Sequence, residues 1–128
     1  MIANTWNFKV FISANNVCDF EEWLDNQIPE NRAKVRIFIN RLMIANSWSP
    51  KHVRSLSGYP KINELVIKGK NVQLRPLGYF GPSRKCFTLL LGAIEKGDKF
   101  IPKDAPGKAE ERQRLVMSDW ERYTKDYE

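Results

Sequence analysis

Residues 61–103 constrain the fold most, because they read as three short strands joined by turns that only antiparallel neighbours can use. The expected strands cover residues 62–68, 72–80 and 85–95, with turns at Gly69-Lys70-Asn71 and Gly81-Pro82-Ser83. The last strand contains CFTLLLGAI, apolar on both faces, which suits a central strand covered on both sides. Pro76 interrupts the middle strand and marks an edge or a bulge, since proline has no N–H to give to a ladder. Arg75 is therefore expected where the strand is re-aimed.

The flanking segments supply the cover. Trp6, Phe8, Val10 and Ile12 alternate over residues 6–12, which predicts a strand. After a loop at 13–16, Phe20, Trp23, Leu24 and Gln27 recur at helical spacing, with Asp19, Glu21 and Glu22 at the end where the helix dipole favours negative charge. Pro29 opens a second helix running to about Ala45, with Val35, Phe38, Ile39 and Leu42 on its apolar side and Arg32, Arg36 and Asn40 on another. Residues 47–60 read as a loop or a short helical turn. From Asp104 the pattern is helical again, with Ala109, Gln113, Val116 or Met117, Trp120 and Tyr123 in one stripe. The order β-α-α-β-β-β-α predicts one α+β domain over residues 1–128, its helices segregated to one face of a four-stranded sheet.

Charge points to the partner. Residues 61–103 hold nine lysines and arginines against three acidic residues, which accounts for the net charge of +6 of the whole chain. A small sheet that concentrates the excess charge suits a polyanion. Cys18 and Cys86 form no C-x-x-C pair; reduced, partly buried thiols are expected, with a single disulfide left open. No apolar run approaches the roughly 18 residues of a membrane span, and the N-terminus has no charged-then-apolar signal pattern, so a soluble cytoplasmic protein is expected.

The residue types narrow the chemistry. His52 is the single histidine, so no pair of imidazoles is on offer, and no His/Cys cluster has zinc-ligand spacing. Glu64, Glu95 and Asp98 are too scattered for a carboxylate metal centre, the glycines stand singly, and no G-x-S-x-G occurs. No metal and no cofactor is expected. Lysine, arginine and tyrosine remain, and they suit RNA. In metal-free cleavage the 2′-hydroxyl attacks the adjacent phosphate, and the protein supplies proton transfer and compensation of phosphorane charge. Arginine forks onto phosphate oxygens, a lysine among cations has a lowered pKa, and tyrosine can stack on a base. The same residues also serve simple phosphate binding.

The run NELVI (63–67), then VQLR (72–75), then FTLLLGAIEK (87–96) resembles the RelE/HigB toxin superfamily, in its phage-derived HigB-type branch. The family pattern is an "-E-L-R-" strand, a "-Y-R-" strand and a strand ending "-L-L-H-G-F-x-K-K-"; the preceding strand and helical hairpin match the family order. The resemblance implies a RelE-like fold and a ribosome-dependent messenger RNA endonuclease, the toxin of a type II toxin–antitoxin pair that inhibits translation. Its partners would be messenger RNA, the ribosome and an antitoxin, often a helix-turn-helix protein. By position, the resemblance implies phosphate stabilisation for Arg75 and proton transfer or charge neutralisation for Lys96. Lys68, Lys70, Arg84, Lys85 and Lys99 are expected to guide RNA, and Tyr79 to stack on it. The departures are Val66 for the arginine of "E-L-R", Leu91 for the histidine, Glu95 for the first lysine and Leu74 beside Arg75 for the tyrosine. They give the alternative: a catalytically degenerate module that binds RNA or the ribosome without turnover.

Overall fold

Apolar side chains on both faces place Cys86–Leu91 at the centre of the molecule. In the computed structural model, which describes residues 4–128, this segment forms β7 and is buried at every position. Met1, Ile2 and Ala3, part of the stretch expected to lack a signal pattern, lie outside the described residues. β1 (Asn7–Phe11) runs parallel to β7, with Phe8 opposite Phe87 and Val10 opposite Leu89. On the other side β7 meets β6 (Leu77–Phe80), then β3 (Tyr59–Leu65) and β2 (Val53–Leu56), all antiparallel. β10 (Thr124–Asp126) closes the far edge, giving the order β10-β1-β7-β6-β3-β2.

The class is α+β, but one four-stranded sheet is not what forms. A second, antiparallel sheet has the order β4 (Ile67–Lys68), β5 (Gln73–Leu74), β8 (Ile94–Lys96), β9 (Lys99–Ile101). Each of the three expected strands breaks where it passes between the sheets: at Val66, at Arg75-Pro76 and at Gly92-Ala93. Pro76 cannot donate to a ladder, and the β6–β7 register shifts just after it, at Leu77 and Gly78. A Cβ at Gly92 would lie 2.0 Å from Cδ2 of Trp23, so only glycine lets the first helix close on the bend. Main-chain bonds carry the structure across it, from Leu65 N–H to Pro76 O at 2.9 Å and from Arg75 N–H to Ala93 O at 2.8 Å.

Helices cover both faces of the larger sheet. α1 (Asp19–Asp25) and α2 (Pro29–Ile44) bring Phe20, Leu24, Val35, Ile39 and Leu42 against Phe8, Val10, Phe87 and Leu89. α3 (Ala105–Ser118) sets Ala105, Ala109 and Val116 against Phe11, Ile62, Leu77 and Leu90. Strand alternation sends Phe8 and Phe11, like Leu89 and Leu90, to opposite sides, so segregation of the helices to one face is corrected. Each fully buried leucine or phenylalanine contributes about 1.5–3 kcal/mol of transfer free energy.

Two further expectations change. Residues 47–60 contain β2 and the start of β3 rather than loop alone. The C-terminal helix breaks at Asp119, is followed by the short α4 (Trp120–Tyr123), and ends in β10; Met117 and Trp120 are exposed rather than part of the buried stripe. Cys18 and Cys86 are buried free thiols, as the reduced reading expects. Among the described residues no helix is long and apolar enough to cross a membrane.

Candidate nucleic-acid interface

Arg75 sits at the bend and points inward. It is 5% exposed. Its Nη1 donates to Leu74 O at 2.9 Å and Ile67 O at 3.3 Å, and its Nη2 donates to Gln73 Oε1 at 3.4 Å. Its Nε lies 3.7 Å from Glu64 Oε1 and 3.6 Å from Glu95 Oε2. Two carboxylates thus neutralise the guanidinium, and main-chain carbonyls fix it, leaving no free fork for a phosphate.

Lys96 directly follows Glu95 in β8. Successive side chains of a strand leave on opposite faces, so Lys96 projects away from the carboxylate that meets Arg75. It stands opposite Lys99 across the β8–β9 hairpin. Arg75 and Lys96, for which the resemblance implies phosphate stabilisation and proton transfer, therefore do not face a common cleft.

The other expected residues fall into separate groups. Tyr79 is buried in the cluster under α3, its hydroxyl has no partner among the described residues, and burial pushes its phenol up to about 12, so it offers no face to a base. Its neighbour Phe80 is 48% exposed and packs on Trp6, Trp48 and Phe87. Arg84 and Lys85 are exposed in the turn before β7, with Lys85 Nζ 5.2 Å from the centre of the Trp6 ring. Lys96 and Lys99 lie at the other end of the β7–β8 run, up to roughly 30 Å of extended chain away. Lys70 is exposed, its Nζ 3.9 Å from Glu30, and its N–H donates to Asn31 Oδ1 at 2.8 Å.

Lys68 belongs to a different assembly. Lys34, Ile37, Phe38 and Arg41 follow the i, i+3, i+4, i+7 stripe of α2 and, with His52 and Lys68, line a cavity of about 340 Å³ between α2 and β4. Lys34 Nζ is 3.9 Å from Glu30 Oε1. The His52 ring stands edge-on to Phe38, with centroids 5.7 Å apart. His52 is fixed by main-chain bonds: its N–H donates to Ser49 O at 2.9 Å, and its O accepts from Val66 N–H at 2.8 Å. Three cations and an imidazole around apolar side chains suit an anionic, partly aromatic ligand. The α2 stripe is visible in the sequence, but the arrival of His52 and Lys68 beside it is a product of the fold.

A second cavity of about 370 Å³, on the α3 side of the larger sheet, is lined among others by Arg54, Tyr59, Glu64, Glu95 and Phe100. Arg54 pairs with Glu64 across β2 and β3, and His52 meets Val66 one step further. By alternation Arg54 and Glu64 share the face of this ladder that carries Ile62 and meets α3, whereas the groove lies against α2 on the other side, so the two cavities are separate. Among the described residues no group of three His, Cys, Asp or Glu side chains is placed to hold a metal ion. Comparison of the chain with family models, with curated proteins and with solved structures found no match.

Proposed function

We propose that this chain is a RelE/HigB-like protein that restrains translation by binding RNA on the ribosome through the α2–β4 groove, acting by occupancy rather than through an Arg75–Lys96 centre. The observation that carries the reading is the convergence of Lys34, Arg41 and Lys68 with Phe38 and His52 on one cavity. Cations positioned along a groove supply the salt-sensitive attraction to phosphates, and the aromatic side chains supply base contacts. The RelE-like assignment is supported by the order of β1, the helical hairpin and the three bent strands. A helix-turn-helix antitoxin remains the partner implied by the resemblance.

The second reading is cleavage of messenger RNA. It is favoured by His52 sharing the groove with three cations, because a neutral imidazole accepts the 2′-hydroxyl proton while cations compensate phosphorane charge. Controlled expression with growth measurement, ribosome sedimentation and mapping of RNA ends separates the two. Growth arrest with ribosome-bound protein and intact transcripts supports occupancy. New ribosome-dependent ends that vanish in His52→Ala support cleavage. Normal growth with soluble protein that never sediments with ribosomes overturns both.

A further inference from the structure

The cavity on the α3 side of the sheet has a different chemistry. Two arginines and two glutamates meet at its wall or just behind it, so its charge nearly cancels, and Tyr59 and Phe100 add aromatic surface. Glu64 is already engaged, its Oε1 accepting from Arg54 Nε at 2.9 Å. Glu95 is not engaged in this way. Its carboxylate lines the cavity, its side chain is 27% exposed, and among the described residues no hydrogen bond is donated to it. Arg75 Nε stands 3.6 Å from Glu95 Oε2, buried and without a hydrogen-bond acceptor of its own among the described residues. The bonds from Nη1 to Leu74 O and Ile67 O hold the guanidinium in place. The result is an open carboxylate backed by an immobile cation and flanked by two rings.

We propose that this cavity is a recognition site for a guanine base of single-stranded RNA; the proposal rests on the RNA-binding reading above. An ionised carboxylate only accepts hydrogen bonds. Guanine alone among the four RNA bases carries two adjacent donors, N1–H and the N2 amino group, on its Watson–Crick edge. Adenine and cytosine set a ring acceptor beside their amino group, and uracil flanks its single N–H with two carbonyls, so each brings a lone pair against Glu95. Tyr59 and Phe100 provide stacking surface, which every base can use and which therefore adds affinity rather than choice.

The test is binding of the full chain to a six-nucleotide oligouridylate and to the same oligomer with one guanosine, with GMP and AMP as monomer probes. The guanosine-containing RNA is expected to bind roughly tenfold tighter, the discrimination typical of one bidentate base contact. Glu95→Gln should bring the two RNAs within about twofold of each other, and Tyr59→Leu should weaken both, with circular dichroism confirming that each variant folds. Equal affinity of the wild type for both RNAs, or a guanosine preference that survives Glu95→Gln, overturns the proposal and leaves the groove intact. If neither RNA binds while GMP, but not AMP, still binds in a Glu95-dependent way, the pocket stands and the RNA-binding reading falls.

Discussion

Arg54 Nε and Glu64 Oε1 meet at 2.9 Å across β2 and β3, the arginine side chain half in solvent and the glutamate almost wholly buried. Glu64 therefore spends one oxygen on a surface cation while also facing the buried Nε of Arg75 at 3.7 Å. Arg54 can return to water if its partner is lost; Arg75 cannot. Glu64→Ala should destabilise the fold by about 3 kcal/mol, because it leaves a buried guanidinium with only the more exposed carboxylate of Glu95 to balance it. Arg54→Ala should cost less, about 1–2 kcal/mol, because the buried Glu64 loses one hydrogen bond but keeps the Arg75 guanidinium 3.7 Å away. Urea unfolding of the two variants checks the asymmetry, and equal losses would contradict it.

The bend at Gly92 gives a second expectation. A Cβ there would lie 2.0 Å from Cδ2 of Trp23, and the indole is packed against Phe20 with centroids 5.6 Å apart. Gly92→Ala should displace α1 and cost about 1–3 kcal/mol, the usual range for overpacking. A lower urea midpoint with a change in tryptophan emission is the expected result.

Tyr79 links burial to alkaline stability. Its phenol is pushed from 10 up to about 12 by burial, and the nearby Cys86 thiol is also pushed up by burial. Above about pH 10 the unfolded chain releases the phenolic proton while the fold retains it, so the unfolded state binds fewer protons and stability falls with pH. The contribution is intact below about pH 10 and is lost as pH rises through about 12. Tyr79→Phe removes a buried hydroxyl that has no partner among the described residues, so it should leave neutral-pH stability unchanged or raise it by up to about 1 kcal/mol. It should also flatten the alkaline decline, measured by urea unfolding at several pH values.

How far the sequence reaches depends on which contacts decide each element. The helical hairpin and β7 are legible because their signals are local: Pro29 begins α2, Val35, Ile39 and Leu42 are buried, and CFTLLL is the central strand. The division into two sheets is half legible, since Pro76 and Gly92 announce breaks but Val66 carries no such mark. β2 and β10 are short edge strands with polar residues, recognisable only from the strands they join. The position of Arg75 at the bend follows from Pro76, yet its neutralisation depends on Glu64 and Glu95 arriving from two other strands. Glu95 reads in sequence as the loss of a lysine, whereas in the fold it is half of the charge balance around Arg75.

The central claim is that RNA contacts the α2–β4 groove and not the Arg75–Lys96 pair. The most direct measurement compares the salt dependence of RNA affinity for the wild type, for Lys34→Ala/Arg41→Ala/Lys68→Ala, and for Lys96→Ala. The groove variant should lose roughly 2 from the slope of log affinity against log salt, about 0.7 for each phosphate contact removed from a single strand. Lys96→Ala should match the wild type. An unchanged slope in the groove variant, with the loss appearing in Lys96→Ala, would contradict the account.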